Sequence, residues 1–173
     1  MDFNLTLKDR LNLYNQYTIL QKLSEMQGDE HEAAFYELRA KIISEGYIYD
    51  YYLLTECLSD DFSLEEAKLV WDTLNMYSAI YLSYAKIDNP KLTKEQIHFD
   101  GFDGNYEIKH MNYCKFIINS LGRFAELGEN GCKDYNSHSQ RCQKYKNMIT
   151  AWKSMTNPYD LNEDQISIII NTH

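Results

Sequence analysis

The stretch SLEEAKLVWDTLNMYSAIYLSYAK, residues 63–86, decides the fold class. Ser63 followed three positions later by Glu66 is the pattern of a capping box, in which hydroxyl and carboxylate each satisfy a backbone N–H at the start of a helix. Beyond it Ala67, Val70, Trp71, Leu74, Tyr77, Ser78, Tyr81 and Ala85 recur every three or four positions and keep to a stripe about 120° wide on a helical wheel. A strand would alternate instead. The spacing predicts a helix over 64–86, and Asn89-Pro90 ends it, because a residue before proline is pushed out of the α region.

Reading towards the N-terminus, Thr6 with Asp9 resembles another capping box, and Leu7, Leu11, Leu13, Tyr14, Tyr17 and Leu20 cover about half of a helical wheel. This helix runs to Gln27-Gly28. A second begins near Asp29 with Ala34, Phe35, Leu38 and Ile42 on its apolar face, and Gly46 is placed to supply a left-handed C-terminal cap. Between Tyr47 and Leu58 two periods compete. Tyr47, Tyr49, Tyr51 and Leu53 alternate as a strand would, whereas Ile48, Tyr51, Tyr52 and Thr55 fit one helical face, and a short helix is the preferred reading.

Reading towards the C-terminus, Thr93 with Gln96 caps a further turn. Met111, Cys114, Ile118, Leu121 and Ala125, widened by Ile117 and Phe124, form a second buried stripe over 105–127. The segments 64–86 and 105–127 are read as a long central pair with stripes packed together. After the loop 128–136, His138, Cys142, Tyr145, Ile149 and Trp152 recur at helical spacing up to Asn157-Pro158, and Asn162 with Gln165 caps a last short helix through Ile166, Ile169 and Ile170. The expectation is one all-α domain, 1–173, of six or seven helices.

Composition narrows the setting. At 173 residues the chain has the usual size of one domain, and 44% hydrophobic with 14% aromatic residues excludes a disordered one. Two prolines and seven glycines leave little material for turns, so the elements should be long. No window offers the roughly 18 apolar residues of a membrane span, and Met1-Asp2-Phe3-Asn4 lacks the look of a signal peptide. A cytoplasmic location away from membranes is expected. Cys57, Cys114, Cys132 and Cys142 show no CxxC spacing, so neither a zinc ribbon nor a redox pair is written here. The net charge of −9 argues against nucleic-acid binding. It also hides an asymmetry: residues 109–153 carry eight cations against three acids, +5 locally and −14 elsewhere.

Phe99-Asp100-Gly101-Phe102-Asp103-Gly104-Asn105-Tyr106-Glu107 is the most specified run of polar and glycine residues. Its spacing does not match an EF-hand, whose glycine stands sixth and bidentate glutamate twelfth. The preferred reading is local: glycines supply positive φ, Asp103 or Asn105 caps the next helix, and Glu107 favours its first turn. A ligand reading places Asp103, Asn105, Glu107 and Arg123 around a pocket near Gly101–Glu107, with Arg123 as an anion clamp and His110 beside it. His110 with Cys114 and His138 with Cys142 have i, i+4 spacings that would suit zinc on facing helices. Small thiols and a hydrogen-bonded histidine on apolar stripes are ordinary core occupants, so no metal and no cofactor is expected. The rows Tyr47, Tyr49, Tyr51, Tyr52 and Tyr77, Tyr81, Tyr84 could stack bases but lie in the acidic part of the chain; Tyr135 and Tyr145 sit among Arg141, Lys144 and Lys146. A nucleophile elbow, Walker loop, GxGxxG and HExxH are all missing.

Asn15-Gln16-Tyr17, Glu45-Gly46-Tyr47, Met76-Tyr77, the Phe99-x-Gly101-Phe102-Asp103-Gly104-Asn105-x-Glu107 run and the later Arg123, Tyr145, Met148, Trp152 set resemble the YfbU family of bacterial proteins. The likeness spans nearly the whole chain, with the motifs in the same order at similar separations. It implies a multi-helical, all-α cytosolic bacterial protein of unassigned biochemistry and carries no catalytic residues across. The functional expectation is a non-enzymatic protein-interaction or regulatory module that recognises a protein partner or itself through exposed tyrosines and charge asymmetry. The alternatives are a hydrolase or small-ligand-binding enzyme at Gly101–Glu107, and a nucleotide or nucleic-acid binder acting through the basic 109–153 segment.

Overall fold

A computed structural model describes residues 4–130 and 134–172, the side chains of 129 and 130 excepted. Cys132 and Lys133 lie outside the described residues. The described chain is all-α: α1 (Leu7–Gln27), α2 (Glu30–Glu45), a 3₁₀ helix (Ile48–Leu54), α3 (Leu64–Tyr84), α4 (Ile108–Lys115) continuing into a π turn (Phe116–Ser120), α5 (Ala125–Asn130), α6 (Cys142–Lys153) and α7 (Glu163–Ile170). It divides into two compact units, Met1–Asp61 and Phe62–His173.

The N-terminal unit is a helical hairpin. Thr6 and Asp9 form the capping box that opens α1, Gly28 (φ 78°) closes it, and Asp29 caps α2 at once, so the two helices double back on each other. Gly46 ends α2 in the left-handed conformation, φ 70°. The terminal carbonyls there find a partner in Arg10, whose guanidinium donates to Ile43 O at 2.9 and 2.7 Å and to Ser44 O at 2.9 Å. The ambiguous segment after Gly46 is the 3₁₀ helix. It turns Tyr51 and Leu54 inward to join Ile42 and Ile43 in a small core. Tyr47, Tyr49 and Tyr52 stay exposed. Arg39 is buried, its guanidinium 3.2 Å over the Phe35 ring and paired with Glu56.

In the second unit α3 is the hub, packed by α4, α5, α6 and α7. Ser63 and Glu66 form the capping box read from the sequence, with Glu66 N–H donating to Ser63 Oγ at 3.2 Å and Ser63 N–H to the Glu66 carboxylate at 3.1 Å. The buried face of α3 is broader than one stripe. Leu69, Thr73, Met76, Ala79, Ile80 and Ser83 are buried beside Val70, Leu74 and Tyr77, while Trp71, Ser78 and Tyr81 are only partly covered and Ala85 is exposed. A helix covered from several directions buries several faces.

The partner of α3 is shorter than its apolar spacing predicts. The helix begins at Ile108 rather than Asn105 and loses α geometry at Phe116, where Leu121 N–H donates to Phe116 O at 3.0 Å across a π turn. The chain then turns at Gly122 (φ 65°) and Phe124 (φ 54°) before α5. Met111, Cys114, Ile117 and Ile118 are buried as expected, but Leu121 and Ala125 are exposed, because the inserted residue and the turn rotate them off the stripe. Thr93 and Gln96 make a turn without an α-helix around it.

Candidate functional site

The glycine-rich run is laced against the segment before α6. Gly101 has φ 87°, and a Cβ there would stand 2.1 Å from Tyr135 O, so only glycine fits. That close approach allows Phe102 N–H to donate to Tyr135 O at 2.9 Å and Ser137 N–H to donate to Phe102 O at 3.1 Å, an isolated parallel bridge. Asn136 Oδ1 accepts from Gly104 N–H at 2.9 Å and His138 N–H at 3.0 Å. Tyr145, fully buried on α6, donates its hydroxyl to Gly101 O at 2.8 Å. Its ring meets Tyr77, Phe99 and Phe102 with centroids 5.4 to 6.1 Å apart. Burial pushes the Tyr77 and Tyr145 hydroxyls well above the ordinary tyrosine range, so both stay protonated.

Of the four residues proposed from sequence for ligand contact, three meet. Asp103 is buried, and its Oδ1 accepts from Asn105 N–H at 2.7 Å and Tyr106 N–H at 3.3 Å, forming the turn that leads into α4. Asn105 is itself exposed. Glu107 is buried and reaches across to α6: its carboxylate accepts from Arg141 N–H at 2.9 and 3.0 Å, Cys142 N–H at 2.8 Å and Asp103 N–H at 3.0 Å. Those bonds occupy the roughly four lone-pair positions of a carboxylate. Burial pushes the Glu107 carboxyl up, but the backbone donors outweigh it and hold the group below the ordinary value of 4.5. Its ionised oxygens thus supply the cap that α6 lacks from its own Arg141. Arg123 lies apart. It is exposed in the Gly122 turn, its N–H donating to Ile117 O at 3.1 Å, and no hydrogen bond or ion pair among the described residues joins it to Asp103 or Glu107.

The matched histidine and cysteine spacings do not converge. His138 is not helical; it is exposed at φ 52°, before α6 begins. His110 is half-buried between Phe62 and Phe102, centroids 5.3 and 5.7 Å away, and desolvation lowers its pKa. Among the described residues no group of three or more His, Cys, Asp or Glu side chains is placed to hold a metal. Burial pushes the thiols of Cys114 and Cys142 up to about 12, with the Glu107 carboxylate adding to the effect at Cys142. In the basic segment Arg141 pairs with Asp100 at 3.0 Å and Lys153 with Asp72, which removes two cations from any free patch.

Asn136 is the structurally decisive residue the spacing did not single out. The signal was the Asp134-Tyr135-Asn136-Ser137 cluster, since Asn and Asp side chains readily serve neighbouring backbone groups. In the N-terminal unit a separate cavity of about 530 Å³ opens beside the 3₁₀ helix, with Tyr49, Tyr51, Tyr52, Leu58, Asp60 and Asp61 in its lining.

A family model described as the YfbU domain matches residues 3–172. The chain belongs to the YfbU family. It is 32% identical over 170 residues to a UPF0304 protein of Methanocaldococcus jannaschii, covering 94% of this chain and 96% of that protein. A UPF0304 protein of Actinobacillus succinogenes is 31% identical over 173 residues, covering 96% and 98%. One of Pasteurella multocida is 31% identical over 170 residues with the same coverage. No described helix of this YfbU-family chain is long and apolar enough to cross a membrane.

Proposed function

We propose that this YfbU-family protein works by surface contact, as a cytosolic protein-interaction module, and that a second copy of the chain docks on the N-terminal hairpin. The observation that carries the reading is the distribution of exposed apolar side chains. Of the 22 large hydrophobic residues exposed among the described residues, 14 lie within the first 61 positions. A surface of that kind is what interaction sites present. Two strips on α1 repeat one spacing: Leu7, Leu11, Tyr14 and Ile19, Leu23, Met26, each at i, i+4, i+7 and each exposed. The hairpin's own core of Ile42, Ile43, Tyr51 and Leu54 is small for a unit of this length, so a mating surface would supply burial it does not provide internally. Glu107 supports the same direction, because its acceptors are filled by backbone donors rather than left open to a substrate.

Size-exclusion chromatography with light scattering tests this on the full chain and on Leu11→Glu and Leu23→Glu. Both positions are exposed, so helical content should be unchanged. The expected result is a dimer or larger assembly for the native chain and a monomer for the variants. A native chain that stays monomeric at about 100 μM, where even a weak interface should be populated, refutes it.

A further inference from the structure

The cavity beside the 3₁₀ helix has a chemistry of its own. It lies wholly within the N-terminal unit and measures about 530 Å³, within the range of small-ligand sites. Three tyrosines, Tyr49, Tyr51 and Tyr52, line it along with Leu58, and two carboxylates, Asp60 and Asp61, stand at the same opening. Tyr49 is 91% and Tyr52 61% exposed, so their rings are available to a ligand while Tyr51 is buried as a fixed wall.

Charge selects what would bind. From Tyr47 to Asp61 the chain carries Asp50, Glu56, Asp60 and Asp61 and no lysine, arginine or histidine. Glu56 is committed to Arg39. Asp60 and Asp61 are exposed and take part in no hydrogen bond or ion pair among the described residues. An anion would meet uncompensated negative charge, and a neutral apolar molecule would use the rings but not the carboxylates. A cation uses both, because aromatic faces carry negative potential and the carboxylates add a longer-range attraction.

We propose that this cavity binds an organic cation: an ammonium group on a short alkyl or methyl-substituted body, presented either by a free small molecule or by a lysine side chain of a peptide. The site is formed by one copy of the chain, and neither α1 strip proposed for self-association contributes to its lining.

The test is a titration of the full-length protein carrying ¹³C-labelled tyrosine rings, followed by NMR, with tetramethylammonium, choline, a short peptide with one free lysine side chain and with its termini capped by acetyl and amide groups, and 3,3-dimethylbutan-1-ol as the neutral isostere of choline. Cations should shift the Tyr49 and Tyr52 ring signals with a dissociation constant on the order of millimolar, and the neutral alcohol should bind at least several-fold more weakly. Whichever of the quaternary ammonium and the lysine peptide binds more tightly identifies the source. Tyr49→Leu and Tyr52→Leu should each weaken the cation by roughly two- to fivefold while keeping an apolar wall. The double variant Asp60→Asn/Asp61→Asn should weaken it and flatten its salt dependence. All these positions are exposed, so circular dichroism should confirm an unchanged fold. Equal binding of alcohol and choline, no effect of the ring or carboxylate substitutions, or no shift at about 50 mM cation, would each overturn the proposal.

Discussion

Replacing Glu107 tests the packing of this fold at its most connected point. The carboxylate gathers the N–H groups of Asp103, Arg141 and Cys142 at 2.8 to 3.0 Å and is buried. A hydrogen bond to a charged group contributes roughly 1.5–3 kcal/mol, and a buried donor left unmet costs about 1–3 kcal/mol. The three donors share one acceptor group and their losses do not add, so Glu107→Ala should destabilise by about 3–5 kcal/mol. Glu107→Gln keeps one carbonyl oxygen but turns an NH₂ towards backbone donors, for about 2 kcal/mol. Against a total of roughly 5–15 kcal/mol, either change is large. Urea unfolding followed by circular dichroism and by tryptophan fluorescence, with Trp71 on α3 and Trp152 on α6 as reporters, measures it. The pH dependence carries a second signature. The folded carboxyl titrates below the ordinary value of 4.5, so its stabilisation is complete above that value and is lost as pH falls through the folded pKa. The native protein should therefore lose stability relative to Glu107→Gln on acidification, and the gap between them should close. A Glu107→Gln protein within about 0.5 kcal/mol of native at pH 7 would refute the reasoning, since surface substitutions scatter by that much.

Two glycines with positive φ separate conformational strain from close contact. Gly28→Ala meets nothing within 4 Å and should cost about 1 kcal/mol, whereas Gly101→Ala drives a methyl into Tyr135 O and should cost about 3 kcal/mol or prevent folding; urea midpoints decide. Peptide mapping after brief iodoacetamide treatment at pH 8 should find exposed Cys57 alkylated, buried Cys114 reacting only in urea, and half-buried Cys142, its thiol pushed up to about 12, reacting far more slowly than Cys57; labelling of Cys142 as fast as Cys57 in the native protein would contradict its raised pKa. Glu56→Gln leaves the buried Arg39 guanidinium without its counter-charge and should lower stability by about 1–2 kcal/mol, discounted because Glu56 is itself 45% exposed; no change in the urea midpoint would show the pair to be idle.

What was legible in the residues is local. The capping boxes at Thr6, Ser63 and Asn162, the end of the first helix at Gly28, the glycine cap at Gly46, and the helical period over 64–86, which the helix follows to Tyr84, depend on neighbours three or four positions away, so they could be read along the chain. The Tyr47–Leu58 ambiguity had a local cause too: a 3₁₀ helix has three residues per turn, between the two periods that competed there.

Contacts across long sequence separations were not legible. The 105–127 stripe reads as one helix because period cannot report a π turn or the Gly122 reversal, which arise where the chain must bend back over α3. His138 falls at helical spacing from Cys142, yet Asn136 holds its N–H in the preceding turn. Glu107 looked like a first-turn acid of its own helix and instead caps α6, 34 residues on. Composition and spacing specify which segments coil and which faces are apolar. Which carboxylate meets which N–H depends on how helices far apart in sequence pack, and a carboxylate that finds donors in the folded core looks no different, along the chain, from one left in water.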